Sequence, residues 1–220
     1  MCDFGNIVDD TFDRQIYFPT MIFSVECANF EDLNAYLIPL IYSERDRDEA
    51  GIERSNYRAL GGWHSHNSLH QDKAYAPLVD RIDQASRRIS ESLGYDDDYE
   101  LQIGTMWSII NGPGSVNKAH IHPGSYWSGV YYVQTPKDSG DIEFIDPRTF
   151  HVMDEPRFQK GVQRCRENWT KVRFTPRTGA MLLFPSWLYH GVDPNLTSIS
   201  GSDGERVIVS FNLVQKLKIG

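Results

Sequence analysis

The segment Lys118-Ala119-His120-Ile121-His122-Pro123-Gly124-Ser125 places two histidines two residues apart. On an extended segment, alternate side chains share a face, so both imidazoles point the same way. Seventy residues later, His190 closes the apolar run GAMLLFPSWLYH. Neutral imidazole is the commonest metal ligand, and three of them suit iron, zinc, copper or nickel. The expectation is a metal centre of His120, His122 and His190, held by two adjacent strand ends. The plainer alternative is a hydrogen-bonded polar cluster. A second group, His64, His66 and His70 in GWHSHNSLH, has its own His-x-His spacing. No strand partner with further ligands accompanies it, so it reads as polar contacts of a loop or strand. Its functional alternative is the lining of a substrate entrance beneath a lid hinged at Gly61-Gly62. His151 reads as structural.

These residues need a scaffold, and the chain has length for one. Its 220 residues, 40% hydrophobic and 24% charged, suit a single globular domain over 1–220 with a large core. A net charge of −8 and no Lys/Arg cluster argue against nucleic-acid binding. No apolar run approaches the roughly 20 residues of a membrane span, and MCDFGNIVDD is not a signal peptide. Cys2, Cys27 and Cys165, odd in number and widely spaced, read as reduced thiols. A cytoplasmic location is the expectation.

Residues 1–100 are expected to supply a strand and helices that pack on a barrel. Gln15–Cys27 is β-branched and aromatic, which predicts a strand or two bent near Pro19. Leu33, Leu37, Leu40 and Ile41 predict a helix from Phe30 to about Arg47, with Asn29 as N-cap and Pro39 a potential kink. Leu78, Ile82, Ala85, Ile89 and Leu93 form one stripe of a helix over Lys73–Leu93, with Gly94 as its C′ residue. From Leu101 the pattern changes to short strands separated by Gly and Pro: Leu101–Ile110, Ala119–His122, Tyr126–Gln134, Asp141–Ile145, Lys171–Phe174, Met181–Phe184 and Val207–Val214. The turn spacing predicts a sandwich or barrel over 101–220 that carries every candidate ligand. The fold class is therefore mainly β with flanking N-terminal helices (α+β), and Arg157–Thr170 reads as a loop.

Two resemblances add to this. Gly114-x5-His120-x-His122 and Gly179-x5-Pro185 followed by His190 resemble the two halves of the cupin pattern, without the cupin glutamate and with Trp187 where a glycine is expected. The fuller resemblance is to Fe(II)/2-oxoglutarate-dependent oxygenases, within an uncharacterised bacterial and phage subgroup with a prolyl-hydroxylase-like double-stranded β-helix, also called a jelly-roll or cupin-like barrel. It is carried by HIHPGSYWSGVYYVQTP, GDIEFIDPR, GAMLLFPSWLYHGVDPN and RVIVSFN, in order over roughly Trp107 to Leu213.

The resemblance implies an oxygenase that takes Fe(II), 2-oxoglutarate and dioxygen, with ascorbate as an accompanying reductant. It implies hydroxylation of a small-molecule or peptide substrate, coupled to decarboxylation of 2-oxoglutarate to succinate. Arg206, sixteen residues after His190, would grip the far carboxylate of the co-substrate. Ser210 shares its strand face with Arg206, and Tyr132 corresponds to the family tyrosine that reaches the same molecule. Ser128, Asn212, Trp107 and Arg148 are the substrate-pocket candidates. A homodimer through exposed edge strands is a further expectation. One departure stands out, since relatives keep a carboxylate where this chain has His122. Two rival sites follow: one with His122 as first ligand and chloride in the vacancy, as in halogenases with His-x-Gly, and one with a carboxylate such as Asp193 on the metal. Outside this family, the alternatives are a cupin-type dioxygenase or isomerase without 2-oxoglutarate, or a non-catalytic metal-binding barrel.

Overall fold

The computed structural model describes residues 15–55, 62–148, 157–161 and 170–218. Chain order begins with β1 (Phe23–Glu26), α1 (Phe30–Arg47), α2 (Ala50–Arg54), β2 (Trp63–His64), α3 (Ala76–Leu93) and β3 (Tyr99–Asn111). There follow β4 (Asn117–His120), β5 (Trp127–Gln134), β6 (Ile142–Ile145), β7 (Lys171–Phe174), β8 (Ala180–Pro185), β9 (His190–Val192) and β10 (Arg206–Leu217). They form a six-stranded sheet ordered β1-β8-β5-β10-β3-β2 and a four-stranded sheet ordered β4-β9-β6-β7. Every pairing between these strands is antiparallel. Two antiparallel sheets, the larger backed by helices, make the mainly β barrel that the strand spacing predicts, and match the double-stranded β-helix that the resemblance implies.

The larger sheet is apolar on both faces, and its two faces do different work. On β10, Val207, Val209, Phe211 and Leu213 are fully buried in a core that also takes Leu37 and Ile41 of α1 and Leu78, Ile82 and Ile89 of α3. On the opposite face, Ile208 joins Val130, Tyr132, Ile142, Phe144, Leu182 and Phe184 in a second core, shared with the smaller sheet. The period of two on a strand separates the adjacent tyrosines in the same way. Tyr131 faces the helices, and Tyr132 faces the barrel interior. Each fully buried Leu, Ile, Val or Phe contributes about 1.5–3 kcal/mol.

Local structure differs from the sequence expectation at several points. Gln15–Cys27 yields only the four-residue β1, which adds to the edge of the larger sheet through β8. Asn29 occupies the N-cap position of α1 but is left-handed (φ 50°), and its side chain makes no capping bond. Pro39 lies inside α1 without ending it. The helix expected from Lys73 begins as a 3-10 turn over Lys73–Tyr75, capped by Asp72 accepting from the Ala74 N–H at 2.9 Å, and becomes α-helical at Ala76. It ends at Gly94, whose φ of 65° suits glycine. The short β2, β9 and α2 had no clear sequence signal. His151, Cys2, Cys165 and Gly61 lie outside the described residues.

Asn34 of α1 ties the helical half to the barrel. Its Nδ2 donates to the Val133 carbonyl at 2.8 Å, and its Oδ1 accepts from the Tyr131 hydroxyl at 2.7 Å. Both groups are buried, so removing the amide strands a carbonyl and a phenol. Asn34→Ala is expected to lower stability by about 1–3 kcal/mol, measurable as a reduced midpoint in urea unfolding.

Candidate metal centre

The β4–β9 pairing sets His120 directly opposite His190. β4 ends at His120, so His122 stands two residues beyond the strand, not on it as expected. Its backbone N–H donates to the Ser186 carbonyl at 2.9 Å, which fastens this loop just past the end of β8. One ligand atom from each of His120, His122 and His190 lies within 4.8 Å of the other two. Two of the three rings are pinned by neighbouring carbonyls. The Nδ1 of His120 is 2.7 Å from the Lys118 oxygen, and that of His190 is 2.8 Å from the Leu188 oxygen. A ring that donates from Nδ1 presents its lone pair at Nε2, the tautomer a metal ligand needs.

Burial favours the same state. It pulls His122 down to about 4, with a smaller contribution from His120. It pulls His190 down to about 3, against the Leu188 carbonyl and together with His120 and His122. The lone pairs therefore stay free of protons at neutral pH. Among the described residues, the metal-capable group consists of these three histidines and contains no carboxylate. Asp193 turns instead to Arg173, with Oδ2 at 3.3 Å from Nε.

The cluster opens on a cavity of about 210 Å³ between the sheets. Arg206, Ser210 and Tyr132 line it with the three histidines, and so do Ser128 and Trp107. Arg206 is 1% exposed. Burial lowers its pKa to about 10, still charged at neutral pH, with Tyr132 acting in the opposite direction. Its Nη1 donates to the Ser139 carbonyl and, at 3.5 Å, to the Gly140 carbonyl. Its Nε and Nη2 are buried without a partner. These two N–H groups form one edge of the guanidinium, the fork that matches a carboxylate. Arg206 makes no surface ion pair at this burial, and the neighbouring acid Glu205 takes Tyr42 and Arg45.

Two expected pocket residues lie elsewhere. Arg148 pairs with Asp146 at 2.7 Å on the surface, beside a different cleft. Asn212 shares the strand face of Arg206 but is used up in a buried ladder, accepting from Ser128 Oγ at 2.7 Å and donating to Thr105 Oγ1 at 3.0 Å. Two further polar side chains line the cavity beyond the expected site residues. Asn117, at the start of β4, had no motif around it. His64 belonged to the second histidine group, which the structure disperses: His64 lines the cavity, His66 meets Glu44 at 3.1 Å, and His70 lies in another cleft.

The depressed histidine pKa values set a pH dependence for protein stripped with a chelator. Unfolded chain protonates these rings from about pH 6.5 downward, whereas the folded chain resists until about 4 and about 3. Their contribution to stability is therefore complete above pH 6.5 and lost as pH falls towards 4 and below. The melting temperature should drop across that window, and the drop should be shallower in His190→Gln.

The donor set fits a divalent metal, and the unmatched Arg206 fork fits the free carboxylate of a dicarboxylic co-substrate. Residues 105–212 match the family described as "Putative 2OG-Fe(II) oxygenase". No curated protein matches. Among solved structures, a Pseudomonas putida prolyl-4-hydroxylase is 17% identical, with TM-score 0.56 over 91% of this chain and 94% of that one. A prolyl hydroxylase from Trichoplax adhaerens, in complex with a hypoxia-inducible-factor peptide fragment, is 15% identical, with TM-score 0.57 over 88% and 83%. The α-ketoglutarate-dependent epimerase SnoN of nogalamycin biosynthesis is 11% identical, with TM-score 0.59 over 91% and 79%. At these identities the structures speak for the fold, and the family match speaks for the class. Through its residues 105–212, just under half of its length, the chain is similar to the 2OG-Fe(II) oxygenases.

Proposed function

We propose that the protein is a hydroxylase-type oxygenase in which His120, His122 and His190 hold Fe(II) and Arg206, Ser210 and Tyr132 hold 2-oxoglutarate. The observation that carries this reading is a buried guanidinium with two unmatched N–H groups in the same cavity as a three-histidine cluster. When bound, the iron and 2-oxoglutarate supply dioxygen activation, with release of succinate and carbon dioxide, and that oxidising power is theirs and not the protein's.

The chain's own residues bind, orient and shield. The Lys118 and Leu188 carbonyls keep the Nε2 lone pairs of His120 and His190 turned inward. Arg206 offers a carboxylate two parallel N–H donors, with its third corner immobilised on Ser139. Ser210 and Tyr132 add hydroxyls along the same wall. Val130, Ile142, Phe184, Val192 and Ile208 line the remainder and limit water. No carboxylate lines the cavity among the described residues. With a divalent cation, one guanidinium and a dianionic co-substrate, the site keeps a net positive charge. Neutral or anionic groups of a small-molecule or peptide substrate suit it better than amines.

Anaerobic titration with Fe(II) and 2-oxoglutarate should produce a weak visible charge-transfer band. Arg206→Ala should weaken 2-oxoglutarate by roughly 30-fold or more, since breaking a buried charge pair costs about 2 kcal/mol or more. Arg206→Lys should recover little, because an ammonium cannot form the fork. Absence of the band, with no thermal protection by 2-oxoglutarate, would overturn the reading and leave a metal-binding barrel. A succinate-release screen that pairs carboxylated or neutral substrates with amine analogues then checks the substrate class, and a preference for the amines would refute it.

A further inference from the structure

The three candidate ligands are not held in the same way. Carbonyls pin the rings of His120 and His190, but among the described residues no carbonyl accepts from the ring of His122. His122 also lies beyond the end of its strand, where its backbone N–H donates to Ser186 and its Nε2 lies 3.3 Å from that of His190. Its ring is instead part of a row of four. His64 and Trp107 are near-parallel at 10°, with centroids 5.7 Å apart. Trp107 and His122 follow at 27° and 5.8 Å, and His122 and His190 at 11° and 5.1 Å.

The outer member is itself well fixed. β2 pairs with β3 at Trp63–Ile110 and His64–Ile109. The His64 carbonyl accepts from Arg54 Nε at 3.0 Å, and its Nδ1 lies 2.6 Å from the Ser65 oxygen. Trp107 is 9% exposed and pinned in the central part of β3.

Resting on the metal-centre reading above, we propose that His64 and Trp107 are positioning residues for His122, and that the ring row takes the place of the missing carbonyl. The physical reason lies in the ligand type. A carboxylate has two oxygens and a negative charge that draws it onto a cation from many orientations. An imidazole has one lone pair, in the ring plane, and no charge, so a swivel of the ring breaks the bond. A site that replaces a carboxylate by a histidine therefore needs a device to hold that ring's plane, and offset stacking of aromatic rings is such a device. His64 lies outside the segment 105–212 that matches the family, so this support comes from the N-terminal part of the chain.

The test uses Co(II) alone as the probe, followed by visible absorption. His64→Ala and Trp107→Leu should weaken Co(II) about tenfold, the usual cost of losing a residue that orients a ligand. Trp107→Phe, which keeps a stacked ring, should recover most of that loss. In a His122→Ala background, His64→Ala should have no further effect, because its action passes through that ring. Thermal unfolding of each stripped variant identifies those that merely fail to fold. Folded His64→Ala and Trp107→Leu proteins with undiminished Co(II) affinity would overturn the proposal, as would a His64→Ala loss that persists without His122. Failure of the unaltered protein to bind Co(II) would instead overturn the metal-centre reading. The row can also be observed with no metal added: His122 ring protons should show an upfield shift from the Trp107 ring current in NMR spectra. An unshifted His122, or a shift that survives Trp107→Leu, refutes the positioning role whatever the metal result.

Discussion

Arg206 carries a full charge where water barely reaches it, and only part of that charge is met by the Ser139 and Gly140 carbonyls. Burying an ion with unmatched donors costs several kcal/mol unless an anion completes its shell. The rest of the molecule is arranged so that this cost can be met at the right place. β10 is central in the larger sheet, flanked by β3 and β5 along most of its length, and one of its faces is committed to the apolar core beneath the helices. That commitment turns Arg206, Ile208 and Ser210 to the other face, where the smaller sheet brings His120 and His190 into register across β4 and β9. Charge and candidate metal ligands thus meet in one cavity because two sheets with different duties face each other.

The neutral donor set changes what the protein must do for its metal. With a carboxylate among the ligands, part of the cation's charge is met inside the coordination shell. With three imidazoles it would not be, and among the described residues the surrounding wall contributes no acid. On the proposed reading, the dianionic co-substrate would be the main counter-charge for both the cation and Arg206. Such a site couples metal and co-substrate occupancy through charge, each making the other's binding more favourable.

Much of this was legible in the sequence, for identifiable reasons. The period-two pattern of RVIVSFNLV placed Arg206, Ser210 and Asn212 on one face, and the alternation in SGVYYVQ separated Tyr131 from Tyr132. Both follow from strand geometry alone. The stripe of α3 and its Gly94 stop were equally local. Where the reading went astray, the deciding contact was distant. His122 was assigned to a strand because alternation looked sufficient, but β4 closes at His120 and it is Ser186, on another loop, that brings the ring back. Asn212 has the correct face, but its amide is consumed by Ser128 and Thr105 on the two adjacent strands. Arg148 satisfies itself two residues away on Asp146. His64 could not be placed because a two-residue strand carries almost no periodicity, and its importance arises only from β3 alongside.

The residue before Arg206 gives the architecture a further property. Glu205 accepts from Tyr42 at 2.7 Å and meets Arg45 at 3.2 Å, both on α1, while Gln134 of β5 donates to the Glu205 carbonyl at 2.9 Å. Consecutive residues thus face opposite masters: one reaches inward for an anion, the other outward to a helix. If Arg206 captures an anion as proposed, helix docking and ligand capture would share this strand end, and binding would stabilise both. The N-terminal half is then more than a cover over the barrel. It holds, through Glu205, the same strand end that carries Arg206 into the cavity.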